Sequence, residues 1–309
     1  MTYEYRSNGK LLLTGEYLVL KGAEAVALPL KKGQTLRVKP IEESDKLIWK
    51  SIYKDNIFFE AVFSTKNITI LQTSDEEHAG YIQSLLKKAL EYVPALLHIP
   101  GYSIEATLDF PLEWGLGSSS TLISNVADWL NINPFRLNCA MTNGSGYDIA
   151  CAQSGSPILY RILDRYHDYR EINLDFPFKE SIYFVYTGKK QSSFNEVKNF
   201  LEDPKDYSHL FPRIKEINKQ IINSQSIKEF ESSIEEHEGL IASVLGEPAL
   251  KDHAFTDFSG AVKSLGAWGG DFILLTWEGT REDLKKYLEH RNMKTFFSWN
   301  ELVKNRKYE

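Results

Sequence analysis

"PLEWGLGSSSTL", residues 111–122, decides the reading of this 309-residue chain. Gly115 and Gly117, on either side of Leu116, let the backbone turn tightly without a Cβ in the way, and Ser118, Ser119 and Ser120 open a stretch, "SSSTLISNVADWLN", that reads as a helix. The first N–H groups of a helix have no intrahelical partner, and the positive end of the helix dipole lies beside them. A loop of this kind can hold an anion, and serine hydroxyls there can add hydrogen bonds or reach a cation carried by phosphates. It is also what an ordinary glycine turn with a serine N-cap looks like, and no Gly-Lys-Ser/Thr follows to make it a P-loop.

Upstream of the loop the pattern is strand-rich. "KLLLTGEYLVL", "AVALPL" and "QTLRVKPI" are short apolar stretches separated by Gly22 and Gly33, which predicts strands joined by tight turns, and "KLIWKSIYKDNIFFEAVFS" continues in the same way. "SDEEHAGYIQSLLKKALEYV", residues 74–93, predicts a helix with Ser74 as N-cap and Glu77 three residues later. From about residue 193 helices dominate: "FNEVKNFLED", "FPRIKEINKQIINS" and "SIKEFESSIEEHEGLIASVLG". A glycine loop then leads into a strand, "GAWGGDFILLTWEG", and "TREDLKKYLEHR" predicts a final helix. The order predicts an α+β fold in two lobes, placed at residues 1–165 and 166–309.

With 42% hydrophobic and 25% charged residues the composition is globular. A net charge of −6 gives no general electrostatic reason to bind nucleic acid or an anionic membrane, and no apolar run approaches the ~18 residues of a membrane span. Two cysteines, Cys139 and Cys151, without zinc-type spacing, predict reduced core thiols. A cytoplasmic protein with a small-molecule ligand and no nucleic-acid or membrane partner is the expectation.

Three further stretches carry chemistry. In "NGSGYDIACAQSGSP" Asp148 follows a Gly-Ser-Gly turn at the start of a short helix, either as a first-turn charge favoured by the dipole or as a carboxylate able to orient an acceptor and take its proton. In "GKLLLTGEYLVLKG" Lys10 opens a strand, either solvated or placed to offset phosphate charge. The glycines of "GAWGGD", residues 266–271, permit close approach to a ligand or to another strand.

In this order the stretches resemble the motifs of the GHMP kinase superfamily, which includes galactokinase, homoserine kinase, mevalonate kinase and phosphomevalonate kinase. "GKLLLTGEYLVLKG" is similar to the first motif, "PLEWGLGSSS" to the second, "GAWGGD" to the third, and "GSGYDIA" to the segment with the catalytic aspartate. The resemblance implies ATP-dependent phosphoryl transfer to a small-molecule hydroxyl or phosphate, with Mg²⁺ at the ATP phosphates. It implies that Gly115, Leu116, Gly117, Ser118, Ser119 and Ser120 cradle the triphosphate, with Ser119 as the metal contact. Asp148 and Lys10 then become the catalytic pair. Glu16, Tyr17, Gly266, Ala267, Trp268, Gly269, Gly270 and Lys189 fall on the acceptor side. Gly-Glu-Tyr in the first motif, "GYDIACA" and "YTGKKQSS" resemble phosphomevalonate kinases, so a phosphomevalonate- or mevalonate-kinase-like activity is expected, with a sugar kinase or a catalytically silent binding protein as alternatives. Three departures stand out: Trp268 in place of a glycine, Glu113 and Trp114 in place of small residues ahead of the loop, and Leu137 where mevalonate kinases carry a magnesium-holding carboxylate.

Overall fold

A computed structural model describes residues 1–42, 45–93, 101–164, 166–189, 193–266, 268 and 270–306. The fold is α+β, as the pattern predicts. Its contacts divide the chain into two compact units. One comprises Met1–Gly9, Lys32–Leu112 and Leu116–Gln153, the other Lys10–Lys31, Glu113–Gly115 and Ser154–Glu309.

The first unit is built on strands β1 (Tyr3–Leu12), β2 (Ala25–Pro40), β3 (Lys46–Tyr53), β4 (Asn56–Ser64), β5 (Ile70–Thr73) and β6 (Tyr102–Leu108), in the order β5-β4-β3-β6-β2 with β1 on β2. β3 and β6 run parallel, whereas β2–β6, β3–β4 and β4–β5 are antiparallel. Lys54 and Asp55 both take positive φ, as a two-residue hairpin between twisted strands requires. The expected turn at Gly33 is absent, because β2 runs through it as one 16-residue strand. Gly33 answers a different need: a Cβ there would sit 2.1 Å from the Ser7 carbonyl oxygen, so only glycine lets the two backbones lie this close.

Helices α1 (Glu76–Tyr92), α2 (Ser118–Leu130), α3 (Pro134–Met141) and α4 (Tyr147–Gln153) complete the unit. Leu85 and Leu86 of α1, Ile123 and Val126 of α2, and Leu137 of α3 pack with Trp49, Phe59 and Phe63 of the sheet into one core. The cap of α1 is Asp75 rather than the expected Ser74: the Asp75 carboxylate accepts from the His78 N–H, while the Ser74 hydroxyl accepts from the Glu60 N–H on β4. A serine already bonded to a strand is not available to the helix. Cys151 is buried as expected, but Cys139 is exposed on α3, on the face turned away from Leu137; both are free thiols.

In the second unit Ala25–Ala27 of β2 pair with β7 (Ile158–Leu163), which pairs with β8 (Tyr166–Glu171). A separate antiparallel sheet has the order β10-β11-β9-β12, from β9 (Ile182–Tyr186), β10 (Val262–Leu265), β11 (Phe272–Thr276) and β12 (Phe296–Ser298). Every residue of β11 is buried, which explains its unbroken apolar run "FILLT". The helices are α5 (Ser193–Glu202), α6 (Phe211–Asn223), α7 (Ile227–Leu245), α8 (Leu250–His253), α9 (Arg281–Glu289) and α10 (Trp299–Leu302). Ser226 caps the start of α7, and Gly246, at φ 71°, ends it. Among the described residues no helix is long and apolar enough to cross a membrane.

Candidate functional site

In the first unit the serine loop opens α2 without a side-chain cap. Gly117 is the N-cap in a left-handed conformation, φ 93° and ψ 37°, and the first bond of the helix runs from the Thr121 N–H to the Gly117 carbonyl. The N–H groups of Ser118, Ser119 and Ser120 therefore begin the helix without intrahelical acceptors. The three hydroxyls divide by position. Ser120 is buried and donates to the Gly117 carbonyl, Ser118 is half-buried, and Ser119 is exposed. Leu116 is fully buried and anchors the turn. Just behind, the Thr121 hydroxyl bonds to Gln34 on β2, which ties the loop to the sheet.

Asp148 lies in the same unit, half-buried in the first turn of α4, where its carboxylate accepts from the Ile149 N–H. The buried hydroxyl of Tyr81 on α1 makes no hydrogen bond, but its titration is perturbed by both Ser119 and Asp148. Burial of the Tyr81 hydroxyl raises its pKa, proximity to Ser119 works against that rise, and the negative charge of Asp148 adds to it. A phenol beside both Ser119 and Asp148 was not foreseen from sequence; its only local signal is its place on the half-buried side of an amphipathic helix. Leu137, standing where the resemblance leads to a magnesium carboxylate, is wholly buried in the core.

The second unit holds the remaining candidates. Gly115 has φ 65°, and a Cβ on it would meet the Asp271 carboxylate at 1.9 Å. Trp114 beside it packs against Tyr186, Phe272 and Phe297, with ring centroids 5.5–5.9 Å away. Thr187, just after β9, donates its hydroxyl to the Gly270 carbonyl and its N–H to that of Asp271, which pins the end of the glycine loop to the Tyr-Thr-Gly segment. Lys189 is exposed in that segment, and its N–H bonds back to the Thr187 hydroxyl. Gly266 is half-buried at φ 88°. Ala267 and Gly269 lie outside the described residues. Lys10 is half-buried near the end of β1 rather than opening a strand as expected, because the strand begins at Tyr3 and runs on through Gly9.

Glu16 and Tyr17 take different roles from each other. Tyr17 adopts φ 61°, and its hydroxyl accepts the Trp268 N–H at 2.9 Å, joining the first and third motifs. Glu16 is buried among ionisable groups: Lys263 Nζ lies 2.7 Å from its Oε1 and 2.9 Å from Glu238 Oε1, and His237 Nε2 is 3.4 Å from Glu16 Oε2. Burial raises the Glu16 pKa to about 7; Lys263 opposes the rise and Glu238 adds to it. His237 is pushed well below its usual value by burial and by Lys263, and its Nε2 accepts the Gly15 N–H. Lys263, His237 and Glu238 were missed in the sequence, although a lysine inside the apolar stretch "AVKSL" was a visible signal. Among the described residues no group of three or more His, Cys, Asp or Glu is arranged to hold a metal ion.

No protein-family model and no curated protein sequence matches this chain. Solved structures do. The mevalonate kinase of Methanococcus jannaschii superposes with a TM-score of 0.69 at 18% identity, covering 99% of this chain and 98% of that one. The Streptococcus pneumoniae phosphomevalonate kinase in complex with phosphomevalonate and AMPPNP gives 0.72 at 16%, covering 96% and 99%. The Lactococcus lactis galactokinase complexed with galactose gives 0.70 at 14%, covering 96% and 92%. These three kinases differ in acceptor and share an architecture, and over nearly its whole length this chain has that architecture, the GHMP kinase fold.

Proposed function

We propose that this protein is an ATP-dependent small-molecule kinase. The observation that carries the reading is the uncapped start of α2: three N–H groups at the positive end of a 13-residue helix, with the Ser119 hydroxyl exposed beside them. Backbone donors arranged in this way suit the oxygens of a phosphate chain. A phosphomevalonate kinase of the same fold is known in complex with AMPPNP, which favours a nucleotide as the phosphate source.

Phosphoryl transfer asks mainly for position and charge neutralisation. The N–H groups of Ser118–Ser120 hold the triphosphate, and Ser120, bonded to Gly117, keeps the turn closed. Asp148 orients the acceptor and, for an alcohol, takes its proton as the oxygen attacks; an acceptor that is already a phosphate needs orientation only. Lys10 offsets phosphate charge, an assignment that rests on the resemblance. Mg²⁺ is compatible with the donors only as an ion carried mainly by the phosphates, with Ser119 Oγ as its protein ligand; when bound it neutralises the charge of the transferring group.

Mevalonate and phosphomevalonate are the first acceptors to test, given the Gly-Glu-Tyr motif, and sugars come next. The test is ADP release from Mg-ATP over that panel, with Asp148→Asn in parallel. Turnover on one acceptor that falls by two orders of magnitude or more in Asp148→Asn supports the reading. ATP binding without turnover on any acceptor favours a silent nucleotide-binding protein, the alternative to which buried Leu137 and the bulk of Trp268 lend weight.

A further inference from the structure

Strand β8 ends its sheet, and β7 is its one strand partner among the described residues. A terminal strand presents a row of backbone N–H and C=O groups on its open side, and proteins blunt such an edge by shortening it, kinking it with a bulge, or placing Pro or Lys on it. The opposite end of the same sheet is blunted in this way: β5 has four residues, and its register with β4 shifts between Val62 and Phe63. β8 is not. Its six residues, Tyr-His-Asp-Tyr-Arg-Glu, include neither Pro nor Lys, and they pair with β7 in one unbroken register from Tyr166 to Glu171.

The strand carries charges of both signs on exposed side chains. Arg170 has no carboxylate partner among the described residues. Asp168 meets Arg161 Nε through Oδ2 at 2.8 Å, which leaves Oδ1 able to accept a second guanidinium. Tyr166 is 79% exposed and Tyr169 37%, so aromatic surface lies along the same edge.

Charges of a single sign would repel a second copy in every register; mixed charges select one. When two copies of a strand pair antiparallel about a two-fold axis, side chains directly opposite each other interact, and like charges there are destabilising. An axis at Asp168 sets the two Asp168 carboxylates face to face, and one at Arg170 does the same to the two guanidinium groups. An axis between Tyr169 and Arg170 sets Asp168 against Glu171, and one between Asp168 and Tyr169 sets Arg170 against His167. With the axis at Tyr169 the charges match: Asp168 of each copy faces Arg170 of the other, Glu171 faces His167, and the two Tyr169 rings pair across the axis.

We propose that two copies of this chain join through β8, antiparallel and in register about Tyr169, with the Asp168–Arg170 pairs fixing that register. A contact one strand wide belongs at the low end of specific interfaces, so the dimer is reversible. The inference rests on the sheet edge and not on the kinase reading.

The test is sedimentation velocity on the full chain over a range of concentrations. Arg170→Asp sets carboxylate against carboxylate at both pairs and removes no ion pair within the chain. Asp168→Arg sets guanidinium against guanidinium. The expected result is a dimer in the parent, self-association weakened by about tenfold or more in each variant, and a heterodimer when the two variants are mixed, because both pairs are then complementary again. Arg170→Lys, which keeps the charge, is expected to retain the dimer, and with Arg170→Asp it decides the matter if Asp168→Arg fails to fold without its Arg161 contact. A parent that stays monomeric at about 1 mM overturns the proposal. So does a dimer that Arg170→Asp leaves unchanged, a dimer lost equally in Arg170→Lys and Arg170→Asp, or a pair of folded variants that associate no better mixed than alone.

Discussion

Four ionisable side chains, Glu16, His237, Glu238 and Lys263, meet with almost no exposure to water. Burial alone would lower the Lys263 pKa, but Glu16 and Glu238 more than offset it, so the ammonium persists. Removing it leaves the Glu16 and Glu238 carboxyl groups in a dry core without their ammonium partner, and breaking a buried pair in this way costs about 3–5 kcal/mol. Lys263→Met is expected to destabilise by that amount, and Glu16→Gln on the same background to recover part of the loss; urea denaturation of both variants decides it, and equal midpoints would mean the charges are not coupled. The pH response has a defined sign. Glu16 titrates at about 7 in the fold against 4.5 unfolded, so its contribution is fully present below 4.5 and is lost as pH rises towards 7, worth about 3 kcal/mol. His237, held neutral, works the other way: its stability is lost as pH falls below the unfolded value of 6.5. Glu16→Gln removes only the first term, so the variant is expected to gain on the parent steadily between pH 4.5 and 7. A stability difference independent of pH over that range would show that Glu16 keeps an ordinary carboxylate pKa.

At the scale of elements, a local signal specifies local structure except where a distant strand claims the residue. The periodicity of residues 227–245, with Ser226 before it and Gly246 after it, delimits α7 because cap, helix and C-cap are all encoded within one stretch. Ser226→Ala, which deletes the acceptor for the Glu229 N–H, is expected to cost about 1 kcal/mol in thermal or chemical denaturation. Ser74 and Gly33 carried the same kinds of local signal and meant something else, the serine because its hydroxyl is bonded to β4, the glycine because Ser7 lies against it. Gly33→Ala forces a methyl group into the Ser7 carbonyl and is expected to destabilise by about 1–3 kcal/mol. A loss of no more than a few tenths of a kcal/mol would mean that β1 gives way easily at that point.

At the scale of the molecule, both compact units are assembled from separated segments, and the phosphate-loop stretch itself is divided, Glu113–Gly115 falling with one and Leu116 onward with the other. No pattern in the sequence reports such a partition, since it depends on contacts far apart along the chain. Within the candidate site, legibility follows how far along the chain a residue's partners lie. Gly115, Gly117 and Ser118–Ser120 could be picked out because glycine and serine are a local code for a tight turn into a helix, while Tyr81, Lys263 and the aromatic partners of Tyr17 could not, because distant packing sets them. The phosphate-loop assignment makes a prediction separable from catalysis. A ligand present at a hundred times its Kd stabilises the protein it binds by about 2.7 kcal/mol, and AMPPNP is expected to do so here, and to do so equally in Asp148→Asn. Gly117→Ala strains a residue at φ 93° in the turn that presents the Ser118–Ser120 N–H groups, so it is expected to lose most of that ligand-induced shift whatever its own starting stability. Equal shifts in parent and Gly117→Ala, measured by thermal denaturation with and without AMPPNP, would place the nucleotide away from the start of α2 and remove the observation on which the kinase reading rests.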